Sequence, residues 1–193
     1  MNGILSREIE ARFIVSICPE EKEPEQLRQL TIDQRYLRAK GRIRRVRTKI
    51  AGQDKEKTSV VLNRKWKMAN TLGGNWEMEL CLPNTFFIAR FCFWFLTKFL
   101  SDPACYPIHK TRTVYEWDGG MELEWDIFAS QHALPDGPFG MLEVEVSAGF
   151  DLATLQAKLP KWFEVKDDVT GQAYWSNVNI SRRLQRIYRG RRQ

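Results

Sequence analysis

The chain has 193 residues, of which 43% are hydrophobic and 28% charged, a composition that excludes a disordered chain and fits a single globular domain. Its net charge is +6, from 30 basic and 24 acidic residues. Six basic residues lie between 181 and 193: Arg182, Arg183, Arg186, Arg189, Arg191 and Arg192. The other 24 balance the 24 acidic residues, so overall basicity says little about what the body binds. We predict one domain over 1–180 and an Arg-rich C-terminal helix or tail over 181–193.

Alternation of polar and apolar residues with a period of two predicts eight β-strands. In chain order they are centred on 8–15, 34–37, 42–50, 59–67, 76–82, 110–117, 121–129 and 141–147. Turn-rich joints separate them, such as the Asp118-Gly119-Gly120 sequence. The fold class is therefore predicted to be mainly β (α+β), with a few helices.

Between the fifth and sixth strands, residues 86–100 read FFIARFCFWFLTKFL and predict a buried helix. Arg90 and Lys98 interrupt this segment, which is shorter than the roughly 20 apolar residues that a membrane-spanning helix needs. Asn84 or Thr85 is expected to cap its start. A helix that docks on a membrane or on a partner protein is the alternative, and the sequence leaves it open.

Two further helices are predicted near the C-terminus. Residues 151–163 form one of them, and Pro160 ends its regular part. From residue 181 on, Leu184, Ile187 and Tyr188 form an apolar stripe. This stripe would dock on the body and leave the arginines in solvent as an auxiliary collector of anions. A solvated, frayed terminus is the alternative.

The cysteines and the N-terminus bear on the compartment. Cys18, Cys81, Cys92 and Cys105 form no CxxC pair, which argues against a structural zinc site. The N-terminal stretch lacks the basic start, apolar run and small-residue cleavage site of a secretory signal. We therefore expect a cytoplasmic protein with reduced thiols.

One face of nearly every predicted strand carries charges of a single sign at positions i and i+2. The acidic pairs are Glu8/Glu10, Glu77/Glu79, Glu124/Asp126 and Glu143/Glu145, and the basic groups are Arg45/Arg47, Lys110/Arg112 and Lys65. A single pair of this kind is usually the solvated face of an antiparallel strand. Solvated faces mix signs, however, because like charges directly opposite one another are destabilising. The repetition therefore favours a binding surface.

The chemistry of the two sets indicates the ligands. Paired carboxylates raise one another's pKa and persist where a cation offsets their repulsion. Mg²⁺ and Mn²⁺ prefer carboxylate oxygens and commonly bridge protein carboxylates and substrate phosphates. Arginine and lysine side chains suit the phosphates themselves. Together the two sets predict Mg²⁺ or Mn²⁺ as cofactor and a polyphosphate chain as ligand.

An ordered series of short motifs runs along the strands: EIEAR at 8–12, QRYL at 34–37, RVR at 45–47, LNRK at 62–65, EME at 77–79, KTR at 110–112, EWDIF at 124–128 and EVE at 143–145. This series resembles the signatures of the triphosphate tunnel metalloenzymes, also called the CYTH family, and among them the bacterial inorganic triphosphatase-like members. Beyond the strands, PKWF at 160–163 and YWSN at 174–177 are also similar to family elements.

The resemblance implies a closed eight-stranded antiparallel β-tunnel with a charged interior, helices packed outside, and metal-dependent cleavage of a triphosphate. The substrate would be held by Arg12, Arg45, Arg47, Lys65, Lys110 and Arg112. One metal would be bound by Glu10, Glu143 and Glu145. A second metal near Glu8 and Asp126 would lower the pKa of the attacking water, with Glu124 as an outer partner. Glu8, Asp126 and Glu124 would thus be the catalytic residues.

The chain departs from the family pattern at one position and leaves a second ambiguous. Arg12 stands where the family has lysine. This difference keeps the positive charge but replaces a compact ammonium group by a planar guanidinium group. The basic strand offers two pairs in opposite registers, Arg42/Arg44 and Arg45/Arg47, and a slip of one residue exchanges their faces. We favour Arg45 and Arg47 because they match the family pattern.

We expect hydrolysis of the terminal phosphoanhydride by in-line attack of water, with inorganic tripolyphosphate as the first candidate substrate and an organic or nucleoside triphosphate as the next. A class IV-type adenylate cyclase, or a non-catalytic protein that binds polyphosphate or RNA, is the alternative. Glu77 and Glu79 either pair with the arginine strand or contact metal. The expected partner is the triphosphate or polyphosphate substrate. No membrane is expected, nucleic acid enters only as a triphosphate-bearing substrate, and a homodimer is left open.

Overall fold

The computed structural model describes residues 3–67, 74–82, 86–130, 134–135, 137, 139–147 and 149–191. Within these ranges the chain forms one antiparallel sheet of nine strands. They are β1 (Gly3–Ile17), β2 (Gln26–Tyr36), β3 (Arg42–Ile50), β4 (Glu56–Lys67), β5 (Gly74–Cys81), β6 (Ile108–Trp117), β7 (Met121–Phe128), β8 (Gly140–Glu145) and β9 (Phe163–Asp168). The mainly β architecture is confirmed, and all eight predicted strands are present.

The strand order is β5-β4-β3-β2-β6-β7-β8-β1-β9, with an additional pairing of β5 with β1. Strand β1 is long enough to pair with three strands: its residues 3–9 with β5, 10–15 with β8 and 13–17 with β9. The predicted closed eight-stranded barrel is therefore confirmed only in part, because the sheet has nine strands and ends at β9. A register shift between Ile14 and Val15 marks the pairing with β9.

In the described part of the chain, three α-helices accompany the sheet: α1 (Phe86–Phe99), α2 (Leu152–Lys158) and α3 (Asn177–Gly190). Helix α2 begins at Asp151, whose carboxylate accepts hydrogen bonds from the backbone N–H groups of Ala153 (3.3 Å) and Thr154 (3.1 Å). A hydrogen bond from the Thr154 hydroxyl, followed by these two backbone bonds, lowers the pKa of Asp151. The helix predicted over 151–163 is too long, because Phe163 already begins β9.

Helices α1 and α2 cover the outer face of the sheet. Helix α3 instead packs on the inner face, at one end of the sheet. There Ile180 and Leu184, both almost fully buried, contact Phe128 and Met141, which share a face with Asp126 and Glu143. The predicted stripe of this helix therefore docks on the body, although the helix begins at Asn177, before the predicted position 181. A second core lies around Leu123, Leu142, Leu155 and Leu159, where α2 meets the sheet.

Helix α1 is buried on one side only, which corrects the prediction of a buried helix. Ala89 and Phe93 pack against Ile43 and Val60 on the outer face of β3 and β4. The opposite side of the helix leaves several large apolar side chains exposed: Phe87, Ile88, Phe91, Trp94, Phe95 and Phe99. Across the described ranges, no helix combines the length and the apolarity needed to cross a bilayer. The proposed caps, Asn84 and Thr85, lie outside the described residues.

The pleat of the sheet sends alternate residues to opposite faces. In β1, Ala11 and Phe13 are fully buried in the outer core, whereas Glu10 and Arg12 face a cavity on the inner side. In β8, Leu142 and Val144 pack outward while Glu143 faces inward. Burial of the apolar residues under helices thus fixes the charged residues on the inner face.

Candidate functional site

A cavity of about 830 Å³ lies on the inner face of the sheet. Side chains from strands β1 to β8 line it, mostly as pairs at i and i+2: Glu10, Arg12, Gln34, Tyr36, Arg42, Arg44, Asn63, Lys65, Glu77, Glu79, Lys110, Arg112, Glu124, Glu143 and Glu145. Nine basic and seven acidic side chains stand among the described lining residues. The cavity therefore has a small excess of positive charge built from closely interleaved charges of both signs.

The wall formed by β1 and β8 places carboxylates directly opposite one another. Glu10 stands opposite Glu145, and Arg12 opposite Glu143, in the antiparallel register. Arg12 binds both neighbouring acids: its guanidinium contacts Glu10, and its Nε lies 2.9 Å from Glu143 Oε1. Because facing carboxylates repel, this wall needs a cation, and Arg12 supplies one.

Arg112 of β6 connects the next three acids. Its Nε and Nη2 donate to the two carboxylate oxygens of Asp126, both at 2.7 Å, and Nη2 also donates to Glu143 at 2.5 Å. A further bond joins it to Glu124, which stands opposite Glu143 in the ladder. Burial alone would lower the pKa of Arg112, but Asp126 and Glu124 raise it well above its ordinary value. Arg112 is therefore a fixed cation.

The acids around Arg112 respond differently to their surroundings. Burial alone would raise the pKa of Glu143, but Arg12 and Arg112 hold it well below its ordinary value. For Glu124, burial is the largest effect, and it raises the pKa despite the attraction of Arg112. Glu143 therefore stays ionised more firmly than Glu124 as the pH falls.

Lys110 and Asp126 form a buried pair at the floor of the site. Lys110 is 4% and Asp126 0% exposed, and the ammonium group donates to the carboxylate. Burial, and after it the nearby Arg112, lowers the pKa of Lys110. Asp126 is absent from the cavity lining, and both of its oxygens already accept bonds from Arg112. Asp126 thus orients two basic residues from beneath.

The wall formed by β3, β4 and β5 is a second charge network. Arg42 donates from Nε to Asn63 Oδ1 at 2.8 Å and from Nη2 to Glu77 at 3.1 Å. Lys65 joins the two walls, because its Nζ lies 2.9 Å from Glu10 and 2.8 Å from Glu77. Arg44 binds Glu79. Burial, followed by the repulsion of Arg42, lowers the pKa of Arg44. Glu77 and Glu79 therefore pair with the arginine strand.

The preference for Arg45 and Arg47 as cavity residues is wrong. Arg45 is exposed on the outer side, where it lies 3.1 Å from Asp33 and 5.2 Å from the ring centroid of Phe93. Arg47 is also exposed, and its Nε lies 3.7 Å from Glu56. The reason is Ile43, which is fully buried under α1 and shares its face with Arg45 and Arg47. Burying Ile43 turns the other pair, Arg42 and Arg44, into the cavity.

The predicted metal ligands are not gathered into one cluster. Glu10, Glu143 and Glu145 line the cavity, Asp126 lies beneath it, and the side chain of Glu8 falls outside the described part. Among the described residues, no group of three acidic, histidine or cysteine side chains is placed to hold a metal ion. Arg12, Arg112 and Lys65 lie between the carboxylates instead.

Sequence reasoning missed several polar residues of the cavity. Gln34 and Asn63 are each only 1% exposed, and Gln34 donates to the hydroxyl of Tyr36 at 2.8 Å. Burial raises the pKa of Tyr36. Their spacing could have revealed them, because Asn63 stands two residues before Lys65 and therefore shares its face. The start of α3 also contributes, through Asn177 and residues near it.

Fold and cavity together define a class of protein, one with an antiparallel sheet around an interior of paired acids and bases. Several solved structures are similar, among them those of two proteins. The inorganic triphosphatase NE1496 is 22% identical, with 91% of this chain and 94% of that chain covered and a TM-score of 0.48. The PH1819 protein from Pyrococcus horikoshii OT3 is 15% identical, with 81% and 93% covered and a TM-score of 0.50.

The resemblance to the triphosphate tunnel metalloenzymes is confirmed as a resemblance of fold. At such low identities the likeness concerns the fold alone. No protein-family model matches the chain, and no curated protein matches it significantly.

Proposed function

We propose that this protein is a metal-dependent triphosphatase that hydrolyses the terminal phosphoanhydride of inorganic tripolyphosphate. The observation that carries the proposal is the cavity of about 830 Å³, in which acids and bases from seven strands pair with one another. A linear polyanion that arrives with a divalent cation can replace both halves of this network. Phosphates take over the basic groups and the cation takes over the carboxylates, so charge remains balanced throughout.

The carboxylates distinguish this site from a simple anion-binding pocket. Glu10 opposite Glu145, and Glu124 opposite Glu143, are like-charged pairs in neighbouring strands. Such pairs destabilise a sheet unless a cation compensates them. A protein that only bound anions would gain nothing from placing these acids around its ligand. Their retention in the cavity supports a role in holding a cation together with the phosphates.

Mg²⁺ or Mn²⁺ fits the donor set, because both ions prefer carboxylate oxygens and accept phosphate oxygens as further ligands. Glu10, Glu143 and Glu145 line the cavity and would hold the ion once the phosphates take Arg12, Arg112 and Lys65 from between them. When bound, the ion would supply charge neutralisation on the phosphate oxygens. Glu8 is proposed as a further ligand from its sequence position alone. We propose a positioning role for Asp126, whose oxygens already bind Arg112.

The chain's own basic residues would position the substrate. Arg42, Arg44 and Lys65 lie on one wall, and Arg12 and Arg112 on the other, so a chain of phosphates between them meets guanidinium groups from both sides. Hydrolysis then requires in-line attack of water on the terminal phosphorus, with the leaving phosphate oxygen held by a fixed positive charge. The firmly protonated Arg112 is suited to that task.

The lining favours inorganic tripolyphosphate over a nucleotide. Tyr36 is the one aromatic residue among the described lining residues, and Gln34 holds its hydroxyl. A nucleobase would find little ring surface for stacking there, although stacking contributes much of base binding in proteins. The same observation weighs against an adenylate cyclase, which must hold an adenine ring in a defined orientation.

A phosphate-release panel tests the proposal. The substrates are tripolyphosphate, pyrophosphate, ATP and thiamine triphosphate, each with Mg²⁺, Mn²⁺, Ca²⁺ or a chelator, and ATP reactions are also analysed for cyclic AMP. We expect release from tripolyphosphate with Mg²⁺ or Mn²⁺ and none with the chelator. No release from any substrate would refute the proposal, and cyclic AMP formation would replace it by a cyclase. Glu116→Gln, an exposed site outside the cavity, serves as the control for carboxylate variants.

A further inference from the structure

A second depression lies beside the cavity and encloses about 450 Å³. Four arginines of α3 line it, Arg182, Arg183, Arg186 and Arg189, and we call it the Arg groove. Asn179 and Tyr174 contribute further to its surface. No acidic side chain occurs among the described residues that line it. Its electrostatics therefore differ from those of the cavity, where acids stand beside the bases.

The Arg groove adjoins the cavity. Asn179 and Arg182 line both spaces, so they form the boundary between them. The first turn of α3 also faces the cavity through Asn177. A ligand that fills the cavity and reaches Arg182 therefore meets a side chain that also lines the Arg groove.

The arginines are arranged along a line. Arg182, Arg186 and Arg189 are spaced at i, i+4 and i+7, which places them on one side of the helix over about 10 Å. Arg189 is held in place by a bond from its Nη2 to the backbone oxygen of Pro103 at 2.5 Å. Basic residues in a row with no acid between them repel one another and attract an extended anion.

The groove suits a polyanion without bases. Tyr174 is the one aromatic residue among its described lining residues, and the guanidinium of Arg183 lies 3.7 Å from the centroid of its ring. That stacking occupies ring surface that a nucleobase would need. Single-stranded nucleic acid usually binds through rows of aromatic side chains combined with basic ones, whereas inorganic polyphosphate needs only the basic ones.

We propose that the Arg groove binds the continuation of an inorganic polyphosphate chain longer than three phosphates, whose terminal units occupy the cavity. This inference rests on the proposed function for the cavity and names long polyphosphate as a ligand class of the same site. On this proposal the polyphosphate chain lies along α3, from Arg189 to Arg182 at the edge of the cavity. This differs from the diffuse collector of anions expected from the sequence.

Binding measured in a chelator, without turnover, tests this proposal. The full-length protein is titrated with tripolyphosphate and with polyphosphate of a defined length well beyond three units. The variant Arg186→Gln/Arg189→Gln removes two charges from the groove, and neither residue lines the cavity. The control is Arg64→Gln/Arg191→Gln, which removes the same charge from exposed positions outside both spaces.

We expect the groove variant to bind the long chain about tenfold more weakly than the wild type, since two exposed ion pairs are lost. Its affinity for tripolyphosphate should stay within about twofold, because that ligand ends inside the cavity. Each lost phosphate contact lowers the slope of log Kd against log salt concentration by about one. For the long chain, the slope of the groove variant should therefore be about two lower than that of the wild type. The control should match the wild type on both ligands.

Three results would overturn the inference. Equal weakening by the groove and control variants would show that only diffuse charge matters. Equal weakening for both ligands would place the groove within the tripolyphosphate site. Wild-type binding of a single-stranded RNA without a 5′-triphosphate as tightly as polyphosphate of equal charge would assign the groove to nucleic acid. All three are read from binding, so they stand apart from a failure of phosphate release.

Discussion

The choice between the two arginine registers of β3 gives the sharpest test of the site. Arg44 lines the cavity, whereas its neighbour Arg45 lies on the outer face of the same strand. We expect Arg44→Gln to impair cleavage of tripolyphosphate, and Arg45→Gln to leave it nearly unchanged. The two variants differ by one position and remove the same charge, so each controls for the other's effect on overall charge.

The expected magnitudes follow from the surroundings of the two side chains. A hydrogen bond from a charged group to phosphate contributes about 1.5–3 kcal/mol, which corresponds to a loss of about 10- to 150-fold in kcat/KM for Arg44→Gln. The side chain of Arg45 is 43% exposed, and its pair with Asp33 is of the surface kind. Such pairs contribute about 0–1 kcal/mol to folding, and we expect kcat/KM to change by less than about twofold.

Loss of stability must be separated from loss of substrate contact. Burial and Arg42 already lower the pKa of Arg44, so its charge is held at some cost, and glutamine can still donate to Glu79. We therefore expect the free energy of unfolding of Arg44→Gln to fall by only about 1–2 kcal/mol in urea titrations. Steady-state phosphate release with Mg²⁺ gives the kinetic comparison. A larger loss of kcat/KM in Arg45→Gln than in Arg44→Gln would refute the assigned register.

Three further predictions concern the metal, the pH and the C-terminal helix. Glu145→Gln should lower kcat/KM at least about a hundredfold, roughly 2.7 kcal/mol, while its melting temperature stays close to that of the wild type; near-native rates would remove Glu145 from the ion site. In the folded protein the pKa of Glu143 lies below its ordinary value of 4.5. The ionised carboxylate therefore stabilises the fold fully above about pH 4.5, and this stabilisation is lost as the pH falls from there through the pKa of the folded protein. Melting curves from pH 6 to 3 should therefore be less steep in pH for Glu143→Gln than for the wild type, and parallel curves would contradict the assignment. Leu184→Ala should reduce the free energy of unfolding by about 2–5 kcal/mol, because this side chain is buried, whereas Arg186→Ala on the same helix should have little effect; equal effects in urea titrations would show that α3 does not dock.

The local sequence pattern predicted most of the strands, whereas packing and strand pairing determine where several of them begin and end. Strand β3 has the predicted bounds, Arg42–Ile50, although its apolar residues Ile43 and Val46 lie on opposite faces. Strand β2 begins at Gln26, well before the predicted start at Gln34. Its first half was not predicted because polar residues occur on both of its faces, so the alternation is weak there. Strand β9, FEVKDD, carries too few apolar residues to be predicted. It exists because one edge of β1 offers it hydrogen-bonding partners.

Part of the candidate site could also be predicted from the sequence. Glu10, Glu143 and Lys65 were expected inside and line the cavity, and the pairing of Glu77 and Glu79 with arginines was one of two open choices. The roles of these residues in metal binding and catalysis stay predictions, as do the cytoplasmic location and the oligomeric state. Gln34 and Asn63 were missed because uncharged residues did not stand out against the charged pairs.

The sequence by itself determined which residues share a face, because the period of two in an extended chain places i and i+2 together whatever the strand packs against. Only the tertiary structure decided which face turns inward where both carry charge. In β3 that decision belongs to Ile43: its burial beneath Ala89 and Phe93 of α1 turns Arg45 and Arg47 outward. Partners distant in sequence also set the depth of Asp126, which Arg112 and Lys110 hold below the cavity. Charge and spacing are local properties of a chain, whereas burial depends on what covers it.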